Sequence, residues 1–186
     1  MSKGNLNKIL NEFLSRIEEI NGLYLDCFIG IMMYEKYIND YMKAYSTDSN
    51  ISMGEGDPND TDNVILHKTT VGVLRDRTKK SGQDIKIITN LCIIAIYQYW
   101  EDEYREKIAI SKGFNSKSDI KSDLFGEIRY LRQAIIHHKG KRIKEFDKLL
   151  KLDFVKSRES VYFSKDEFNL LIRLIKEEIE KIKLAV

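Results

Sequence analysis

Hydrophobic residues recur at the helical period along most of the chain. In 5–45, Leu6, Leu10, Phe13, Ile17 and Ile20 form one apolar stripe, and Tyr24, Phe28, Ile31, Tyr34 and Ile38 form a second. This predicts a long amphipathic helix, with Gly22 and Gly30 marking a place for a bend. The period is then lost. Segment 46–63, STDSNISMGEGDPNDTDN, carries the chain's one proline with Gly, Asp, Asn and Ser, and is expected to be a mobile acidic loop. In 64–80 the β-branched Thr69, Thr70, Val71 and Val73 favour extended structure, whereas VGVLRDRTKK can start a short helix.

Helical periodicity returns over 83–112, apolar almost all round in its first half (Ile85, Ile87, Ile88, Leu91, Ile93, Ile94) and amphipathic in its second. Such a helix is expected to be central and covered by neighbours. Gly113 ends it, and Ser118 is placed to cap the next helix. In that next helix Leu124, Ile128, Leu131 and Ile135 fall at offsets of four, three and four. A further short helix is expected over 142–152, then a turn and a brief extended piece up to Phe163. Ser164 and Glu167 have capping-box spacing, and Phe168, Leu171, Ile172, Ile175, Ile179 and Ile182 carry a terminal helix.

The expected fold is therefore an all-α antiparallel helical bundle with a long N-terminal helix. A chain of 186 residues has room for one domain with a sizeable core. Its expected parts are an N-terminal helical extension over 1–45, the loop 46–63 and a core over 83–186. Net charge is only +2, which excludes a general polyanion binder by bulk charge. The cations are concentrated, however. From 129 to 151 there are Arg129, Arg132, Lys139, Lys141, Arg142, Lys144, Lys148 and Lys151 against Glu145 and Asp147. Cys27 and Cys92 lie in apolar stretches without metal-ligand spacing and read as reduced core residues. With no leader pattern and no bilayer-length apolar run, a cytoplasmic location is expected.

The stretch 123–142, DLFGEIRYLRQAIIHHKGKR, holds the candidate chemistry. Opposite its apolar stripe lie Arg129, Gln133 and His137, with Arg132 on the border. Gly140 marks the helix end. His137 and His138 thus fall in the last turn, where unpaired carbonyls and the dipole favour positive charge, followed at once by Lys139, Lys141 and Arg142. An arginine, a histidine five residues on and a cationic exit suit an anionic polymer. The plainer reading is a surface arginine with two histidines at an ordinary helix end.

Arg132-Gln-Ala-Ile-Ile-His137 resembles the Arg-polar-x-x-x-His signature of the HEPN superfamily, and the chain is similar to its small prokaryotic ribonucleases of the toxin or abortive-infection type. The resemblance runs from about residue 83 onward. It implies a HEPN-like bundle, metal-independent RNA cleavage without a cofactor, Arg132 and His137 as catalytic residues, and a cleft shared by two copies in a homodimer. Gln133, His138, Arg129, Lys139, Lys141 and Arg142 would support the site or bind phosphate. Trp100-Glu101 with Arg105 is similar to a W-E-x-x-x-R tract of some HEPN branches, in which Glu101 would hydrogen-bond Arg132. Gln133 departs from the commoner Asn or Asp, and the long N-terminal helix is extra to a minimal unit. An antitoxin or regulatory partner is implied as well.

The pattern of residues fits the implied chemistry. Attack of a 2′-hydroxyl on phosphorus needs a group that handles a proton, as imidazole does, and a fixed cation for the phosphate oxygens, as guanidinium is. Phosphate-loop, dinucleotide, nucleophile-elbow and zinc-helix motifs are absent from the sequence, and no E-x-x-H pair supports a di-iron bundle. Two other classes stay open: a non-catalytic helical module that binds RNA or protein, and a purely structural helical dimer.

Overall fold

The computed structural model describes residues 3–57, 60 and 62–184; Pro58, Asn59 and Thr61 of the expected acidic loop lie outside the described residues. The chain is mostly helical, with 68 % helix and 9 % strand, so the all-α expectation needs one correction: a two-stranded sheet is present. Contacts divide the chain into two compact units, residues 1–25 with 87–186, and residues 26–86. The division falls inside two helices, α1 (Lys3–Tyr41) and α3 (Gln83–Tyr99).

The first unit contains the start of α1, most of α3, a π-helical turn (Trp100–Tyr104), α4 (Arg105–Ser111), α5 (Asp123–His137), α6 (Asp153–Lys156) and α7 (Lys165–Leu184). The predicted stripes form its core. Leu6, Leu10, Phe13, Ile17 and Ile20 of α1 are buried, as are Phe168, Leu171, Ile172, Ile175, Ile179 and Ile182 of α7. An aromatic cluster lies at the centre. Trp100 stacks on Phe125 with centroids 4.0 Å apart, and Phe13 stacks on Tyr104 at 4.7 Å. Such pairs contribute on the order of 1 kcal/mol beyond the area they bury.

Local chemistry sets the helix ends. Gly113, at φ +79, closes α4, and the Phe114 N–H returns to the Ala109 carbonyl at 2.9 Å. The cap of α5 is Ser122 rather than the expected Ser118: its hydroxyl accepts from the Phe125 N–H and donates to the buried Glu178 of α7 at 2.5 Å. Ser118 instead belongs to a 3-10 turn, Lys117–Asp119, capped by Ser116. The predicted capping box of α7 is present, with the Ser164 N–H donating to Glu167 at 2.8 Å and the Glu167 N–H to Ser164 Oγ at 3.3 Å. The helix expected over 142–152 shrinks to a 3-10 turn, Lys144–Lys148. Here the α5 carboxylate of Glu127 takes over the chain: it accepts from the backbone N–H groups of Leu150, Lys151 and Leu152 at 2.8 to 3.0 Å.

The second unit carries an antiparallel hairpin, β1 (Asn50–Glu55) and β2 (Val64–Thr70), followed by α2 (Val71–Thr78). The first strand lies inside the expected loop. Its register shifts between Met53 and Gly54, where a Cβ on Gly54 would lie 2.0 Å from the Val64 carbonyl oxygen, so only glycine fits. Thr70 caps α2 by accepting from the Val73 N–H. His67 is engaged by Arg77 at 3.0 Å, in keeping with a structural role.

Candidate functional site

Helix α5 buries Leu124, Phe125, Ile128, Leu131 and Ala134. Its buried stripe turns toward Ala134, leaving Ile135 half-buried and Ile136 43 % exposed. Arg129, Gln133 and His137 are all exposed, and Arg132 is half-buried at the edge of the packed face. An ideal helix separates Arg132 from His137 by about 7.5 Å of rise and roughly 140° of rotation. They lie on one helix but not on one line.

Arg132 is held by an aromatic ring. Its guanidinium carbon lies 5.7 Å from the centroid of Tyr97 on α3, and its Nε is shut away from solvent without a hydrogen-bond partner. Tyr97 is buried. That burial raises the phenol's pKa, with Glu101 adding to the rise and Arg129, Arg105 and Arg132 opposing it. Among the described residues, Arg129, Arg132, Lys139 and Lys141 take part in no ion pair. The Arg129 guanidinium lies 5.4 Å from the neighbouring Tyr130 ring.

Glu101 is used elsewhere. It accepts from Arg105 at 2.9 Å and pairs with Lys117 at 3.1 Å, and Arg105 in turn donates to the Ile120 carbonyl. Burial opposes ionisation of this carboxyl, but the bonds from Lys117 and Arg105 outweigh it and lower the pKa. Glu101 thus fastens the connection between α4 and α5, and no hydrogen bond joins it to Arg132.

The exit of α5 is a tight, stapled turn. The N–H groups of His138 and Gly140 both reach the Ala134 carbonyl, at 3.0 and 2.9 Å. Lys139 and Gly140 are both left-handed, at φ 55 and 75, and Lys139 is the one non-glycine so placed among the described residues. A lysine in that region is uncommon and costs backbone energy. The chain beyond is fixed by pairing: Lys141 bridges Ser160, the Val161 N–H donates to the Gly140 carbonyl at 2.7 Å, and the Arg142 N–H to Glu159 at 2.8 Å. His137, His138, Lys139 and Lys141 are exposed. Arg142 differs from them, because its side chain is committed to Asp147 and the Lys156 carbonyl.

Two residues that the motif does not reveal belong to this neighbourhood. Asn90 and Tyr97 stand seven apart on α3, so these two polar-tipped side chains share one face of a largely apolar helix, and Glu101 follows four residues after Tyr97 in the π-helical turn. That spacing is the signal by which they could be found. Asn90 Nδ2 would lie 3.9 Å from a Cβ on Gly140, and its Oδ1 is buried without a partner. No group of three His, Cys, Asp or Glu side chains suited to a metal ion occurs among the described residues, and no helix there is long and apolar enough to cross a membrane.

Family models, curated proteins and solved structures yield no match to the chain. The HEPN resemblance thus rests on the residues of α3 and α5 themselves.

Proposed function

We propose that the protein is a metal-independent endoribonuclease of the HEPN type, working as a homodimer. The observation that carries this reading is Arg132: a half-buried guanidinium braced on Tyr97, with no carboxylate among the described residues to neutralise it. A guanidinium in that state is ready to meet a phosphate oxygen. His137, about one and a half turns on, adds an imidazole that can serve as general base or acid, and Lys139 and Lys141 supply further positive charge to a polyanion.

The reaction needs two proton transfers. The 2′-oxygen loses its proton and bonds to phosphorus, the bond to the 5′-oxygen breaks, and that oxygen gains a proton, leaving a 2′,3′-cyclic phosphate and a 5′-hydroxyl. Arg132 stabilises the charge that builds on the non-bridging oxygens. One chain supplies one Arg132–His137 pair, with His138 read as a supporting contact. Two copies meeting along α5 supply two such pairs, one His137 as base and the other as acid, and with the HEPN resemblance this is why the active species is read as a dimer. The toxin or anti-phage role follows from resemblance to other small HEPN proteins.

A second reading, a non-catalytic module that binds RNA or a protein, is favoured by one observation. The His137 ring has no hydrogen-bond partner among the described residues, whereas a catalytic base is ordinarily oriented by a third group. His137→Ala separates the two readings. A nuclease loses turnover and keeps RNA affinity within a few-fold, while a binding module shows no turnover in either form.

A further inference from the structure

Away from α5, helices α1 and α7 of the first unit run antiparallel, with Tyr24 against Phe168 at 4.1 Å and Glu18 ion-paired to Lys176. Between them opens a cleft of about 540 Å³ lined by Asn21, Asp166, Asn169, Ile172, Arg173 and Lys176. Its volume is in the roughly 300–1,000 Å³ range of small-molecule sites.

The cleft is polarised along its length. Asp166, in the first turn of α7, stands at one end. The carboxamides of Asn169 and Asn21 occupy the middle, above the apolar Ile172, and Arg173 and Lys176 stand at the other end. The ten residue steps from Asp166 to Lys176 span about 15 Å of helix. Lys176 is partly neutralised by Glu18, but Arg173 makes no ion pair among the described residues. The Asn21 Oδ1 is buried without any hydrogen-bond partner.

We infer that this cleft is a binding site for a purine nucleoside monophosphate, its base between Asn21, Asn169 and Asp166 and its phosphate on Arg173 and Lys176. Carboxamides match the donor and acceptor pattern of a purine edge. Guanidinium and ammonium match a phosphate. The ligand's two ends have the polarity and separation of the cleft, which a free amino acid is too short to bridge. This site uses none of the residues of the α5 site and stands independently of the ribonuclease reading.

The test is a titration of the full-length, 15N-labelled protein with AMP, followed by NMR, with adenosine and inorganic phosphate as controls. Saturable shifts at Asp166, Asn169, Arg173 and Lys176 with AMP are expected. Arg173 is exposed, so Arg173→Ala should fold normally and bind AMP about tenfold more weakly; Asn21→Ala should also weaken it, and Arg132→Ala should bind as the parent does. Absence of saturable shifts, equal affinity in Arg173→Ala and Asn21→Ala, or inorganic phosphate binding as tightly as AMP would each overturn the assignment.

Discussion

Arg132 of α5 rests on the ring of Tyr97 of α3 at 5.7 Å, with no carboxylate in between. Glu101, four residues past Tyr97 in the π-helical turn, is the partner that the resemblance implied, but it is held by Arg105 and Lys117. The arginine is thus positioned by packing and cation–π attraction, which fix its place without cancelling its charge.

Replacing Tyr97 tests that support. Tyr97→Phe keeps the ring and should leave stability and RNA affinity near the parent's. Tyr97→Leu keeps apolar bulk but removes the π face, and should lower stability by about 1–2 kcal/mol in urea denaturation while weakening RNA binding. Equal losses in both variants would show that the hydroxyl, not the ring, matters.

Glu127 is the second device the fold depends on. It is 6 % exposed and holds three consecutive backbone N–H groups after the 3-10 turn. Glu127→Ala strands those donors and should cost roughly 3 kcal/mol or more. Hydrogen exchange should report it locally, with the amides of Leu150, Lys151 and Leu152 losing protection before the core of α5 does.

These two residues mark what was legible in the sequence. Periodicity found α1, α5 and α7, because most of each apolar stripe is also buried, with Ile31, Tyr34 and Ile135 half-buried, and the Ser164–Glu167 spacing located the start of α7. Three features escaped it. Strand β1, in which Ile51 and Met53 are half-buried and the other residues exposed, was hidden in a Gly- and Asp-rich segment. The π-helical turn at Trp100 has the composition of ordinary helix. Glu127 reads as one more charge on an amphipathic helix, since its partners are backbone groups more than twenty residues away and carry no sequence signal. At the candidate site, the motif pointed to Arg132 and His137, but a linear pattern could not show that Tyr97 would replace Glu101 beneath the arginine.

Stability should fall at acid pH through Glu167 and Glu101. Burial of Glu167 opposes its ionisation, but the bonds from Arg158 and from the Ser164 N–H and hydroxyl outweigh that and hold its pKa below the ordinary 4.5. Glu101 is lowered in the same direction. A lowered folded-state pKa contributes stability that is fully present above 4.5 and is lost as pH falls through the folded value. Denaturation midpoints measured from pH 6 down to about pH 3 should therefore decline, and the decline should be shallower in Glu167→Gln, which starts from a lower midpoint.

The hairpin has a single steric requirement at Gly54. Gly54→Ala drives a methyl into the Val64 carbonyl, so the β1–β2 pairing must shift. Amide exchange in residues 50–55 and 64–70 should accelerate, while α7 should keep its protection.

RNA cleavage in EDTA, with analysis of the product ends, separates a metal-independent nuclease from a binding module. The parent protein should cut RNA with metals chelated, leaving 2′,3′-cyclic phosphate and 5′-hydroxyl ends, and Arg132→Ala and His137→Ala should each abolish cutting while remaining folded. Cleavage that needs a divalent metal, leaves other ends or survives both substitutions would overturn the nuclease reading.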